Sequence, residues 1–221
     1  TTLESNQLEA NRKHFLAAID LTKEGLHAAW LDLSTGNFQV ASDPAPENLL
    51  PVLHSVDPAE ILLPEGALDD WKHRHHESPV YDQLIEICST RSVSELPGYH
   101  FDSSEGARLV METLGVLNLE GFGLSTRHNA LGTAGATLHY ATENLCAKPE
   151  NLTAIHEYSA TRNLLVDPAT LRNLEVFRSA RSTRDGSLIG VMDGTVTPGG
   201  ARLLEQYLIA PVLDLVELNR R

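Results

Sequence analysis

Two-metal hydrolysis needs Asp and Glu side chains clustered around ions about 4 Å apart, and Asp20, Asp32 and Glu65 are the carboxylates whose places near strand ends invite that test. Asp20 lies near the end of one candidate strand and Asp32 near the end of the next. In an antiparallel hairpin position 20 pairs near 27, which leaves Asp32 roughly 17 Å away along the strand at about 3.4 Å per residue. Those two cannot share a metal. Glu65, just past a candidate parallel strand, can approach Asp20, so this pair alone keeps a hydrolytic reading open. The run His73-Arg74-His75-His76 holds the densest set of ligating nitrogens. On a helix His73 and His76 share a face, but Arg74 adds repulsion and no cysteine or His-Glu-x-x-His pattern accompanies them. A solvated helix end or loop accounts for the run. A phosphate-cradling loop requires a glycine-rich turn followed by Lys and Ser or Thr. The four lysines, Lys13, Lys23, Lys72 and Lys148, are followed instead by His, Glu, His and Pro. Gly121-Phe122-Gly123 and Gly132-Thr133-Ala134-Gly135 both miss the dinucleotide pattern. No residue is assigned a catalytic, cofactor-binding or metal-binding role.

The elements that would position these groups begin with Phe15–Leu21, Leu26–Leu33 and Asn37–Ser42, three strands joined by Thr22–Gly25 and Ser34–Gly36. Connections this short force an antiparallel meander, because a parallel return needs about a dozen residues. Glu47–Val56 reads as a helix and Glu60–Leu63 as a short apolar strand ended by Pro64, so this fourth strand is expected to add in parallel. Trp71–Pro97 suggests a helix, a strand around Val80 and a second helix near Leu84–Cys88. Asp102 with Glu105 has the form of a capping box ahead of Ala107, Val110, Met111 and Leu114. Asn129 is placed to cap a further helix whose Ala130, Ala134, Thr137, Leu138, Ala141 and Leu145 make one stripe, with Gly132, Gly135 and Ala136 allowing close approach to the sheet. This order predicts a ribonuclease H-like mixed α/β sheet. The last third reads as helical: Thr197-Pro198 opens a helix through Ala201, Leu204, Tyr207 and Leu208, Pro211 stops it, and Asp214 with Glu217 opens another.

Length and charge narrow the class. The 221 residues carry a net charge of −13, with 42% hydrophobic and 21% charged residues, as expected of a folded globular chain rather than a disordered one. Residues 1–150 hold 22 Asp/Glu against 9 Lys/Arg, whereas residues 151–221 hold 8 of each. The acid excess therefore sits wholly in the first two-thirds, which argues against a surface that coats nucleic acid. With Pro149 it marks a domain boundary: 1–13 a linker, 14–148 an α/β domain, 149–221 an incomplete all-α segment. Arg172, Arg178, Arg181 and Arg184 form the densest basic stretch and read as a solvated face. Two cysteines, Cys88 and Cys146, point to a reducing compartment, and the sequence shows neither an apolar run of membrane-spanning length nor a secretory signal, so a cytoplasmic location is expected.

Two stretches resemble a known family. Asp167-Pro168-Ala169-Thr170-Leu171-Arg172-Asn173-Leu174-Glu175, the run Gly186–Asp193, Thr195–Leu204 with Thr197-Pro198, and Leu208–Asp214 followed by Arg220 resemble the start of the helical core, or lever, of the bacterial MutS family of DNA mismatch recognition proteins. Gly199 stands where that family usually has methionine, and Tyr207 where tryptophan is common. Phe15–Ile19, Asp32–Phe38 and the helix with Ala134-Gly135-Ala136 and Tyr140 look like the family's preceding connector domain, which is ribonuclease H-like. The resemblance implies a fragment that lacks both the mismatch-reading domain and the ATPase, so no catalytic step and no cofactor belong to it. In the full-length protein it implies ATP and magnesium, mismatched double-stranded DNA, a homodimer and no membrane association. The connector would relay ATP-driven changes between the mismatch-reading, core and ATPase domains and offer a docking surface to MutL. Two alternatives remain: a metal-dependent nuclease of ribonuclease H-like fold using Asp20 and Glu65, and a structural interaction module outside DNA repair.

Overall fold

A computed structural model describes residues 15–75, 78–144, 151–158, 164, 166, 168–209, 211–213 and 215–219. Contacts divide the described chain into two units, one ending at Tyr158 and one running from residue 164 onward. Among the described residues no helix is long and apolar enough to cross a membrane.

The first unit is built on a mixed six-stranded sheet. Strands β1 (Phe15–Thr22), β2 (Gly25–Asp32) and β3 (Asn37–Asp43) form the expected antiparallel meander. Gly25 takes φ +132° where the chain re-enters the sheet, and a Cβ there would overlap the Asp43 carbonyl oxygen. After a single-turn 3-10 helix at Pro46–Asn48 comes α1 (Leu50–Val56), and β4 (Glu60–Pro64) then adds in parallel beside β1. Next come α2 (Ala67–His75), α3 (Pro79–Ser89) and β5 (Ser92–Leu96), which is parallel to β4. A 3-10 turn at Gly98–Phe101 leads into α4 (Ser103–Leu114), and α5 (Leu131–His139) continues as a π turn over Tyr140–Asn144. The edge strand β6 (Ile155–Glu157) closes the unit beside β3, giving the order β5-β4-β1-β2-β3-β6.

Period-two alternation along β1 and β2 feeds two apolar layers. Leu16, Ala18, Ala29 and Leu31 face α4 and α5 together with Ala107, Val110, Leu131, Ala134 and Leu138. Phe15, Ala17, Ile19, Ala28 and Trp30 face the other way, toward Leu50 and Leu53 of α1, Trp71 of α2 and Leu84 and Ile87 of α3. Every residue of β2 is buried, because a central strand covered on both faces has no solvent side.

Several local expectations are corrected. No strand forms around Val80: Pro79 occupies the first turn of α3, and Ser78 caps it by accepting a hydrogen bond from the Val80 N–H at 3.3 Å. Asn129 does not cap α5, whose N-cap position is Ala130 with no side-chain partner. Nor is α5 a one-sided stripe, since every residue from Leu131 to Leu138 is buried. Its hydroxyls are satisfied within the helix, Thr133 donating to the Ala130 carbonyl and Thr137 to that of Thr133, both at 2.8 Å. The small residues serve α4 more than the sheet. Hypothetical Cβ atoms at Gly106 and Gly132 would overlap the carbonyl oxygens of Leu131 and Phe101, and one at Gly135 would lie 2.5 Å from the Gly106 Cα. By contrast Asp102 caps α4 as expected, its Oδ1 accepting from the Ser104 and Glu105 N–H groups at 2.9 Å. Strands β5 and β6 are not anticipated by the sequence pattern; β6 falls in the stretch that reads as helical.

The second unit is helical: α6 (Pro168–Asn173), α7 (Leu188–Met192), α8 (Pro198–Ile209) and α9 (Leu215–Leu218). Thr197 holds the start of α8 by accepting from the Gly200 N–H at 3.1 Å. Residues 1–13, Leu145, Pro149, Asp214 and Arg220, each given a place in the sequence pattern, lie outside the described residues.

This packing has two measurable consequences. Gly106→Ala forces α4 and α5 apart and is expected to lower unfolding free energy by about 3 kcal/mol or more, measured by urea denaturation. His27 is buried between Thr22 and Ser42, and burial lowers its pKa from 6.5, with Glu24 opposing and His128 adding to the shift. Below pH 6.5 the unfolded chain therefore takes up the proton first, so stability falls as pH drops from 6.5 toward the folded-state pKa. Denaturation midpoints across that range should lose this component in His27→Gln.

Candidate functional site

Chemistry-bearing side chains converge where the parallel strands end. From β4 the chain turns onto the face of α2, and from β5 it turns onto the face of α4, the opposite side of the sheet. Adjacent parallel strands whose connections leave on opposite faces open a crevice at their carboxyl ends. Here that crevice is a cleft of about 570 Å³ lined by Asp20, Glu65, Asp70, Arg74, Tyr99 and Asp102 among others. Trp71, 1% exposed, forms part of its wall, whereas Tyr99 stands 69% exposed.

Electrostatically the cleft is acidic. Asp102 is committed to capping α4, and Glu105 binds the Arg108 guanidinium at 3.0 Å. The carboxylates of Asp20, Glu65 and Asp70 accept no hydrogen bond among the described residues. Burial pushes the Asp20 pKa up, partly offset by the positive charge of Arg74. Arg74 Nε donates to the Asp70 backbone carbonyl at 3.4 Å.

The carboxylates and basic residues singled out by spacing thus separate. Asp20 pairs with His27 and lines the cleft together with Glu65, as the strand geometry implied. Asp32 pairs with Phe15 at the far end of the hairpin, where its Oδ1 accepts from the Ser34 N–H and Oγ at 2.9 and 2.5 Å. Its role there is to fold the turn. Among the described residues no three His, Cys, Asp or Glu side chains are grouped to hold a metal. The nuclease reading of Asp20 and Glu65 is therefore without support. His73 on α2 shares its Nδ1 with the Asp69 carbonyl at 2.7 Å, and His76 lies outside the described residues. Arg184 forms an ion pair with Asp193, while Arg172, Arg178 and Arg181 are exposed or half-buried.

Sequence reasoning missed Tyr99, Asp70 and Arg74 as neighbours of Asp20, because they arrive on separate connections. It also missed a polar network on the other side of the β4–β5 pair. Tyr140, at the start of the π turn, donates to Glu60 Oε1 at 2.6 Å, and Ser94 Oγ donates to the same oxygen at 2.7 Å. That hydrogen bond to Glu60 is the main cause of the raised Tyr140 pKa. The only sequence signal was the acidic residue that opens an otherwise apolar strand.

Because Asp20 is charged at neutral pH in a site that disfavours the charge, Asp20→Asn should raise the thermal midpoint at pH 7. The sign follows from linkage: with its pKa raised above 3.8, the penalty on the folded state is full above the folded-state pKa and vanishes as Asp20 protonates on acidification. The gain should accordingly shrink as thermal melts move to lower pH.

Comparison with known proteins identifies the context of this cleft. Residues 14–155 match the family model of MutS domain II, and residues 169–221 match that of MutS domain III. The chain is 36% identical over 225 residues to the DNA mismatch repair protein MutS of Symbiobacterium thermophilum, covering all of this chain and 25% of that protein. It is 34% identical over 221 residues to the Myxococcus xanthus protein of the same name, covering 99% of this chain and 24% of the relative. The Roseiflexus castenholzii protein is 33% identical over 251 residues, again with all of this chain but 23% of the relative covered. The chain spans about a quarter of the length of the curated relatives it matches. It belongs to the MutS family of DNA mismatch repair proteins.

Proposed function

We propose that the chain is the connector domain and the opening part of the helical lever of a MutS-type mismatch recognition protein. The observation that carries this is the tandem match: domain II coincides with the sheet unit, and domain III with the helical unit that follows. The strand order β5-β4-β1-β2-β3, with an antiparallel meander followed by two parallel strands, supports the ribonuclease H-like assignment of the connector. Because β6 hydrogen-bonds into the sheet, we place the connector's end at Tyr158 rather than at 148, with residues 1–13 as the linker that leads into it.

In this reading the connector has no chemistry of its own and uses no cofactor. It passes ATP-driven motion between the mismatch-reading, core and ATPase parts of a full-length homodimer, which binds mismatched double-stranded DNA, ATP and magnesium elsewhere and works in the cytoplasm. An acidic sheet unit suits that place, since it repels phosphate and is kept off the duplex. The same acidic surface offers MutL its docking site. Isothermal titration of MutL into the folded 221-residue chain should give saturable binding that weakens with salt. A chain that is folded by circular dichroism yet shows no heat of binding at low salt contradicts the docking role.

A further inference from the structure

The cleft at the ends of β1, β4 and β5 presents an imbalance that the fold does not resolve. Asp20, Glu65 and Asp70 face one cation, Arg74, with which they form no ion pair among the described residues. Asp20 is the most enclosed of the three, and Glu65 and Asp70 are exposed at the mouth. Tyr99 lies at the same cleft, 69% exposed; apart from Leu117, it is the one large hydrophobic side chain so exposed among the described residues of the sheet unit. An open aromatic face attracts a guanidinium or ammonium, and tyrosine meeting arginine in a pocket is a recurrent anchor of protein interfaces. Solvating the Tyr99 ring does nothing for the fold, whose apolar layers close without it.

We infer that this cleft receives an arginine or lysine side chain of MutL, seated between the carboxylates of Asp20, Glu65 and Asp70 and covered by the Tyr99 ring. This stands only if the chain docks MutL as proposed above. The incoming cation replaces Arg74 as the counter-charge of the cleft, so Arg74 acts as a resident competitor. Removing it should strengthen binding, a direction that damage to the fold does not produce.

Three variants of the 221-residue chain, titrated with MutL beside the unmodified chain, decide the matter. Asp20→Asn with Glu65→Gln and Asp70→Asn should weaken binding about ten-fold, and Arg74→Ala should tighten it about three-fold, as expected for charges paired across an interface. Asp82→Asn with Glu86→Gln, exposed or half-buried acids on α3 away from the cleft, should change affinity less than about two-fold. If the unmodified chain binds and the cleft variant binds equally well, docking stands and the cleft assignment falls. An equal loss in the α3 control assigns the effect to net charge and also overturns it. No binding by the unmodified chain removes the docking reading and the cleft with it.

Discussion

Two helices of the sheet unit touch backbone to backbone, and much else depends on that contact. At Gly106, Gly132 and Gly135 there is no room for a single added carbon, because the carbonyls of Leu131 and Phe101 and the Gly106 Cα occupy the space. Side-chain packing tolerates repacking within a core, but a main chain cannot yield in the same way. The contact sets how closely α4 lies on α5, and α5 in turn fills the layer against β1, β2 and β3. It also fixes Phe101, the residue whose carbonyl meets Gly132 and which lines the acidic cleft. Core density on one face of the sheet and the shape of the site at its end are thus one constraint.

The opposite face supplies the other wall. Trp71 is held in the second apolar layer with Leu84 and Ile87, and this anchors α2 so that Asp70 and Arg74 line the cleft. A site assembled from connections on both faces senses any change in the angle between the layers. For a domain proposed to pass motion along a larger protein this is useful, because partner binding at the cleft and a change in the placement of α2 relative to α4 bias the same element.

The antiparallel meander was legible because its turns are too short for any other return and its alternation is strong. The first parallel addition, β4, could be read from a crossover of ordinary length. β5 and β6 could not: Ser-Val-Ser-Glu-Leu and Ile-His-Glu carry too few apolar residues, since edge strands bury little. The Ser78-Pro79 pair is a helix start that resembles the approach to a strand, an ambiguity that periodicity over a few residues does not remove. Asp20 and Glu65 could be brought together on paper because strand register is arithmetic. Tyr99 and Arg74 could not, because their approach depends on how two connections pack after leaving the sheet. The family resemblance, carried mainly by the motifs after residue 164, conveyed what the acidic, motif-poor sheet unit did not express by itself.

The most direct test of the central claim, that partner binding is felt at the ends of the parallel strands, is amide hydrogen exchange on the chain with and without MutL. New protection is expected over residues 64–74 and 97–105, the two connections that wall the cleft, with little change along α3. Protection confined to α3, or to the helical unit beyond residue 168, would contradict it.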